Sequence, residues 1–227
     1  TEWQGQPLPG HYVVDMEGVS PKPLTLIEKG VLKTLLLTRQ PVRGFEGSNG
    51  RARLPGPFGH RRAVFGNLFV RSTESVPTAD LKKQLLELMN RAGKPHGIIV
   101  RKLDFPTTAS PEELRRMLAA SASSGSSRNV SSPLLAYRVA PDGKEELVRG
   151  LRFRSLSTRS FRDIVAVSKE LHLFQFLASA PGAGAFVAPS AVVSPAILFD
   201  ELELERRQDE QPTLPLVEPP SLKPTAR

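Results

Sequence analysis

Apolar and polar positions alternate on either side of a Lys-Gly dipeptide in PLTLIEKGVLKTLLLTR (23–39), where Leu24, Leu26, Val31, Leu35 and Leu37 carry the pattern. A period near two predicts β-strands, and Lys29-Gly30 sits where a two-residue hairpin needs a positive φ, which glycine adopts at little steric cost. Upstream, Tyr12 to Asp15 reads as a strand ending at Gly18. The helical period appears in TADLKKQLLELMNRAGK (78–94), whose Leu81, Leu85, Leu88, Met89 and Ala92 share one face. Thr78 is the expected cap and Gly93 the expected stop. HGIIVRKLD follows as a strand of the buried type.

SPEELRRML (110–118) starts a second expected helix. Ser110 is its cap, Pro111 its first residue, and Glu113 completes a capping box. It runs into the low-complexity stretch Ala120–Ser132, read as a loop. PLLAYRVAPDGKEELVRGLRFRS (133–155) predicts a second hairpin with Pro141-Asp142-Gly143 at its turn. Ser160 is then expected to cap a short helix bearing Phe161, Ile164, Val165 and Leu171. The segments FQFLAS and GAFVAPSAVVSPAILFDELELE precede a proline-rich tail. Residues 40–67, which contain GFEGSNGRARLPGPFGHRRAVFGN, read as one long loop, and NLFVRS as a strand.

These elements predict an α+β fold that is β-rich, built mainly of antiparallel sheets and hairpins with about three short helices. Residues 1–207 form the expected domain and 208–227 the tail. With 21 prolines and 17 glycines among 227 residues, turns outnumber long helices. No apolar run approaches the length of a membrane-spanning helix. The chain begins at Thr1, which reads as a fragment or a processed product.

Charge changes the picture more than composition does. The net charge is +8, and arginines crowd two stretches, Arg43 to Arg71 and Arg149 to Arg162, while Asp200–Glu210 is mostly acidic. A solvated basic surface explains this, and so does an anionic partner, either nucleic acid or an acidic part of the same protein. Aromatic residues are only 6%, thin for a surface that stacks bases. The absence of cysteine excludes disulfides, thiolate ligands and cysteine nucleophiles within the chain.

His11, His60, His96 and His172 lie far apart with no paired spacing on a helix, so no metal ligand is assigned. No G-x-S-x-G elbow exposes a serine, and GFEGSNGRAR lacks the G-K-[ST] of a phosphate loop. Asp15 and Glu17 alternate along the expected strand, so both side chains reach one face. A general acid/base pair fits that geometry, and so does a solvated strand end beside a turn.

VDMEGVSPKPLTLIEKGVLKTLLLTR, GSNGRAR, GNLFV and LVRGLRFRSLSTRSFRDIVAVSKEL, in this order, resemble the C-terminal half of the TldD/PmbA family, zinc metallopeptidases once described as modulators of DNA gyrase. The opening hairpin corresponds to that family's DDEG…LIE-G-L motif, and the likeness runs over most of residues 10–200. The resemblance implies a zinc site on an H-E-x-x-x-H helix upstream of this chain, two histidines holding the metal and the glutamate acting as base. No catalytic residue or metal ligand is then expected here. TldD-like members take a further ligand from a cysteine near the C-terminus, which this chain lacks, and the family's glycine-aspartate-phenylalanine-serine stretch has no clear counterpart at NVSSPLLAYRV. Both departures point to a divergent branch or an inactive relative.

The resemblance further implies that Asp15, Glu17, Gly18, Asn49, Gly50, Arg51 and Arg53 lie near a substrate cleft. It implies a peptide substrate held extended against an exposed strand, a homodimer or a heterodimer with a paralogue, and a cytoplasmic setting, with export left open by the unseen N-terminus. The runner-up is a non-catalytic basic module for nucleic acid or an acidic protein partner. A third reading is a structural role, with basic loops of one copy meeting the acidic Asp200–Glu210 segment of another.

Overall fold

A computed structural model describes residues 2–45, 47–103, 132–154, 156, 158–179 and 186–206. The helix expected from Ser110, most of the low-complexity stretch and the proline-rich tail lie outside these residues.

The chain opens with two small hairpins. Strands β1 (Glu2–Trp3) and β2 (Gln6–Pro7) turn at Gln4 and Gly5, and β3 (Ile27–Glu28) and β4 (Val31–Leu32) turn at Lys29 and Gly30. In both turns the two central residues have positive φ, between 49° and 77°, as a primed turn requires. The Lys29-Gly30 hairpin is therefore as the sequence predicts. Tyr12 to Asp15 is not a strand; it bends, and Asp15 opens a tight turn closed by Gly18 N–H donating to the Asp15 carbonyl at 3.1 Å.

Residues 40–67 are not one loop either. They contain β5 (Ala52–Pro55) and β6 (Arg61–Ala63), joined by a single 3-10 turn, Pro57–Gly59. Ala52 and Leu54 are fully buried. That two-residue period is real but short, and the surrounding Gly and Arg hide it. At the hairpin tip Phe58 takes φ 55° and ψ 32°, a left-handed conformation that costs a bulky residue about 1–2 kcal/mol.

Strand β7 (Asn67–Phe69) leads to helix α1 (Thr78–Arg91). Leu81 and Met89 are buried on its inner face, while Ala92 is exposed. Gly93, at φ 61°, ends it as expected, but Thr78 is not its cap. Thr78 is the first helical residue, and its N–H and hydroxyl both donate to Glu170 Oε2, at 2.9 and 2.6 Å. A carboxylate from a distant strand thus takes the role expected of a local hydroxyl.

Strands β8 (Gly97–Leu103), β9 (Pro133–Val139) and β10 (Glu145–Val148) form an antiparallel sheet in the order β10-β9-β8. The Pro141-Asp142-Gly143 turn joins β9 to β10, as predicted. Glu145 accepts from Lys82 Nζ at 2.7 Å and Arg101 Nη2 at 2.8 Å, clamping α1 to this sheet. Those two bonds, Lys82 first, hold the Glu145 carboxyl below the ordinary 4.5. A depressed folded-state value means the unfolded chain takes up the proton first as pH falls. The clamp's contribution is therefore present at neutral pH and lost as pH drops through and below 4.5. Glu145→Gln should flatten the decline in thermal stability between about pH 5 and 3, read by circular dichroism.

Strand β11 (Leu151–Phe153) pairs with β14 (Leu204–Arg206) across the two longest strands, β12 (Ile164–Ala178) and β13 (Ala188–Phe199). The helix expected from Ser160 is instead a 3-10 turn, Thr158–Asp163, running directly into β12. Ile164, Val165, Val167, Phe174 and Phe176 favour a pleated surface, and a partner strand outweighs the few apolar residues at helical spacing. Among the described residues one α-helix and two 3-10 turns stand where about three short helices were expected, and the fold is α+β and β-rich.

Strand β13 pairs antiparallel with β12 and, at Ala191–Val193 only, parallel with β7. Pro189 and Pro195 fall outside that three-stranded part, where a missing N–H is tolerated. The register slips between Val167 and Leu171, and there the Ser168 hydroxyl accepts from Ala196 N–H at 2.8 Å. The core sits on this sheet: Leu8, Ala191 and Val193 are buried together, with Trp3, Leu171 and Leu173 packed against them. The N-terminal hairpin is thereby fastened to the C-terminal strands. Among the described residues no helix is long and apolar enough to cross a membrane.

Candidate functional site

The segment from Gly10 to Val19 reaches the site by a close backbone crossing. Gly10 and Gly66 approach so tightly that a Cβ on either would overlap the other's carbonyl oxygen. Gly10 N–H also donates to Asn67 Oδ1 at 3.1 Å. Beyond this crossing the chain bends at Val13 and Val14 and enters the Asp15 turn.

Asp15 is a buried carboxylate with both oxygens engaged. Oδ1 accepts the N–H groups of Glu17 and Val19, each at 2.9 Å, and Oδ2 accepts Ala52 N–H at 3.0 Å. Met16 N–H returns a bond to the Ala52 carbonyl at 2.8 Å. An aspartate at the first position of a turn, with glycine at the fourth, suits this local bonding, and the third donor sews the turn to β5. Glu17 turns elsewhere: its Oε2 accepts Arg39 N–H at 2.6 Å. The two carboxylates do not share a face, because no strand carries them.

Asn49 mimics a strand partner for the extended segment Leu35–Leu37. Its Oδ1 accepts Leu37 N–H and its Nδ2 donates to the Leu35 carbonyl, each at 2.8 Å. Gly50 is buried at φ 75°, and its carbonyl accepts the Tyr12 hydroxyl at 2.7 Å. Arg51 donates to the Tyr12 oxygen and to the Lys22 carbonyl, at 3.2 and 2.6 Å.

Arg53 lies 4.6 Å from the centre of the Tyr12 ring and donates to the carbonyls of Phe65 and Pro189, at 2.8 and 2.7 Å. It also reaches the Ser190 hydroxyl at 3.2 Å. Burial pushes its guanidinium below the ordinary value, with Arg51 adding in the same direction and Tyr12 opposing. Carbonyl oxygens and an aromatic face hold this cation, and no carboxylate of the described residues pairs with it.

Above these residues is a shallow depression of about 140 Å³, lined by Tyr12, Val14, Asp15, Met16, Ala52, Arg53 and the segment Val187–Pro189. Asp15 and Arg53 thus meet at it, whereas Glu17, Gly18, Asn49, Gly50 and Arg51 do not line it. Its rim is apolar and open, with Val14 52%, Met16 43% and Val187 47% exposed. The backbone groups of Val13 and Val14 hydrogen-bond to no described residue. Sequence reasoning missed Tyr12, Val14, Met16 and Val187, and no short-range signal marks them.

The description "PmbA/TldA metallopeptidase C-terminal domain" matches residues 5–206. The chain belongs to that family. None of the curated proteins matches it.

In PmbA/TldA terms the opening motif is a scaffold. Both carboxylate oxygens of Asp15 accept backbone N–H groups, and Arg53 is held by carbonyls, a hydroxyl and a ring, so these two residues shape the depression as structural groups. Among the described residues no group of three His, Cys, Asp or Glu side chains is placed to hold a metal ion, and all four histidines are exposed and dispersed.

Proposed function

We propose that this chain forms the substrate-cleft part of a TldD/PmbA-like zinc metallopeptidase, acting on peptides or unfolded protein segments, with the zinc held by an H-E-x-x-x-H segment outside these 227 residues. The family match over residues 5–206 carries the reading. Zinc would supply an activated water to the peptide bond. No step through the metal is assigned to residues of this chain.

Its own contribution is to bind and orient. The backbone N–H and C=O groups of Val13 and Val14, which bond to no described residue, can hydrogen-bond the main chain of a peptide, a mode with little sequence preference. A substrate side chain then lies on Val14, Met16 and Val187, over a floor stiffened by the Asp15 and Arg53 bonds. Apolar groups at the surface and satisfied polar groups beneath suit a site that selects shape and flexibility over charge.

The test uses the full-length protein with its metal. Plasma mass spectrometry should find near-stoichiometric zinc. Val14→Glu and Met16→Glu, both at exposed positions, should raise KM for an unstructured peptide at least about tenfold with little change in kcat, as loss of uniform binding predicts. Leu134→Glu, at an exposed position of β9, is the control and should change neither. Metal-free protein, or cleft variants with unaltered KM, would sink the proposal.

A further inference from the structure

Asn49-Gly50 is the only Asn-Gly pair in the chain; the other asparagines precede Leu68, Arg91 and Val130. Such a pair can modify itself. Glycine has no Cβ to shield its nitrogen and leaves the backbone free to turn, so that nitrogen reaches the preceding side chain readily. The Gly50 nitrogen bonds to Asn49 Cγ as its proton passes to water, the Cγ–Nδ2 bond breaks, and ammonia leaves with a proton taken from water. Water then opens the cyclic imide at either carbonyl and gives aspartate or isoaspartate.

The fold restrains each part of this reaction. The half-buried Asn49 carboxamide is committed in its own plane to segment 35–37, with Leu37 N–H donating to Oδ1 and Nδ2 donating to the Leu35 carbonyl. Ring closure makes Cγ tetrahedral, which takes Oδ1 and Nδ2 out of that plane and breaks both bonds. The Gly50 N–H that must give up its proton donates to Ser48 Oγ at 3.2 Å, and that hydroxyl donates to the Leu37 carbonyl at 3.3 Å. Gly50 is itself packed so closely on the Ser20 and Pro21 backbone that a Cβ would overlap it, which holds the nitrogen in place.

We propose that Asn49-Gly50 is a self-modification site gated by the fold. The amide survives while it holds segment 35–37, and an opening of that segment exposes it to irreversible conversion. The product keeps the segment open. A carboxylate oxygen still accepts Leu37 N–H, but the other now faces the Leu35 carbonyl, acceptor to acceptor. Isoaspartate also lengthens the main chain by one methylene. The shift reaches the Gly50 carbonyl, which receives the Tyr12 hydroxyl at 2.7 Å, and so the wall of the depression that Tyr12 forms. The inference rests on these bonds alone and does not depend on the peptidase reading.

The full chain, held at mildly alkaline pH both native and in urea, tests it. Trypsin releases GFEGSNGR (44–51), and chromatography with mass spectrometry separates its amide, aspartate and isoaspartate forms. Conversion should run at least about tenfold faster in urea, since the native chain reacts only through local opening. Ser48→Ala frees the Gly50 N–H and the Leu37 carbonyl, so native conversion should quicken about fivefold while the rate in urea stays as it was. Asn49→Asp reproduces one product, and hydrogen exchange over residues 34–38 should be faster in it than in the unmodified chain. Equal native and urea rates, a native rate untouched by Ser48→Ala, or unaltered exchange in Asn49→Asp would overturn the proposal.

Discussion

Asp15→Ala is expected to cost about 4 kcal/mol of unfolding free energy. The carboxylate accepts three backbone N–H groups, from Glu17, Val19 and Ala52. Alanine leaves all three without their acceptor at a position only 7% exposed. A charge-assisted bond contributes about 1.5–3 kcal/mol, and a stranded buried donor costs about 1–3 kcal/mol, so partial solvation of the opened turn brings the sum to that range. Asp15→Asn separates the parts. Its single carbonyl can keep the Glu17 and Val19 bonds, but its amide then faces Ala52 N–H donor to donor, for a loss of about 2 kcal/mol. Urea titration followed by Trp3, the only tryptophan, gives both values. An unchanged m-value with a lower midpoint locates the effect in the folded state. Equal losses for alanine and asparagine would mean that Ala52 N–H carries the whole effect.

Gly50→Ala should be of similar size for a different reason. A Cβ there would stand 2.7 Å from Pro21 Cα, 2.8 Å from Pro21 N and 2.9 Å from Ser20 C, all backbone atoms that cannot swing aside. The φ of 75° adds a left-handed penalty of about 1 kcal/mol. Moving the two backbones apart also disturbs the carbonyl that receives Tyr12, so a total of about 3–4 kcal/mol is expected. Gly47→Ala isolates the conformational part: its φ is 66° with nothing within 4 Å, and about 1 kcal/mol should be lost. The same urea titration checks the pair, and near-equal midpoints would show that the Pro21 contact relaxes freely.

How much of this was legible depends on how far along the chain each decision is made. The Lys29-Gly30 turn, helix α1 with its Gly93 stop and the Pro141-Asp142-Gly143 hairpin are written in neighbouring residues, and all three were predictable. Strand β12 was not, because apolar residues spaced for a helix resemble a pleated face until β13 is known to lie alongside. For Asp15 the sequence held half the answer. Aspartate followed three residues later by glycine signals a turn, and reading Tyr12–Asp15 as a strand overrode it. The other half, Ala52 N–H, is 37 residues away and has no local mark. The depression is less legible still, since Val14, Met16 and Val187 become neighbours only through long-range pairing. Of the seven residues the motif points to, Asp15 and Arg53 line the depression and the other five do not.

Arg53 also has a consequence for the order in which the molecule is made. Its bond to the Pro189 carbonyl spans 136 positions, and the ring it covers belongs to a segment fastened near β7. During synthesis at about 5–20 residues per second, Arg53 leaves the ribosome on the order of ten seconds before Pro189 does. For that interval the guanidinium and Tyr12 lack the wall that β13 provides, and Leu8 and Trp3 lack the sheet they pack against. Nascent chains halted before residue 188 should therefore be cleaved readily near Tyr12, and protection should arrive only once β13 has been made.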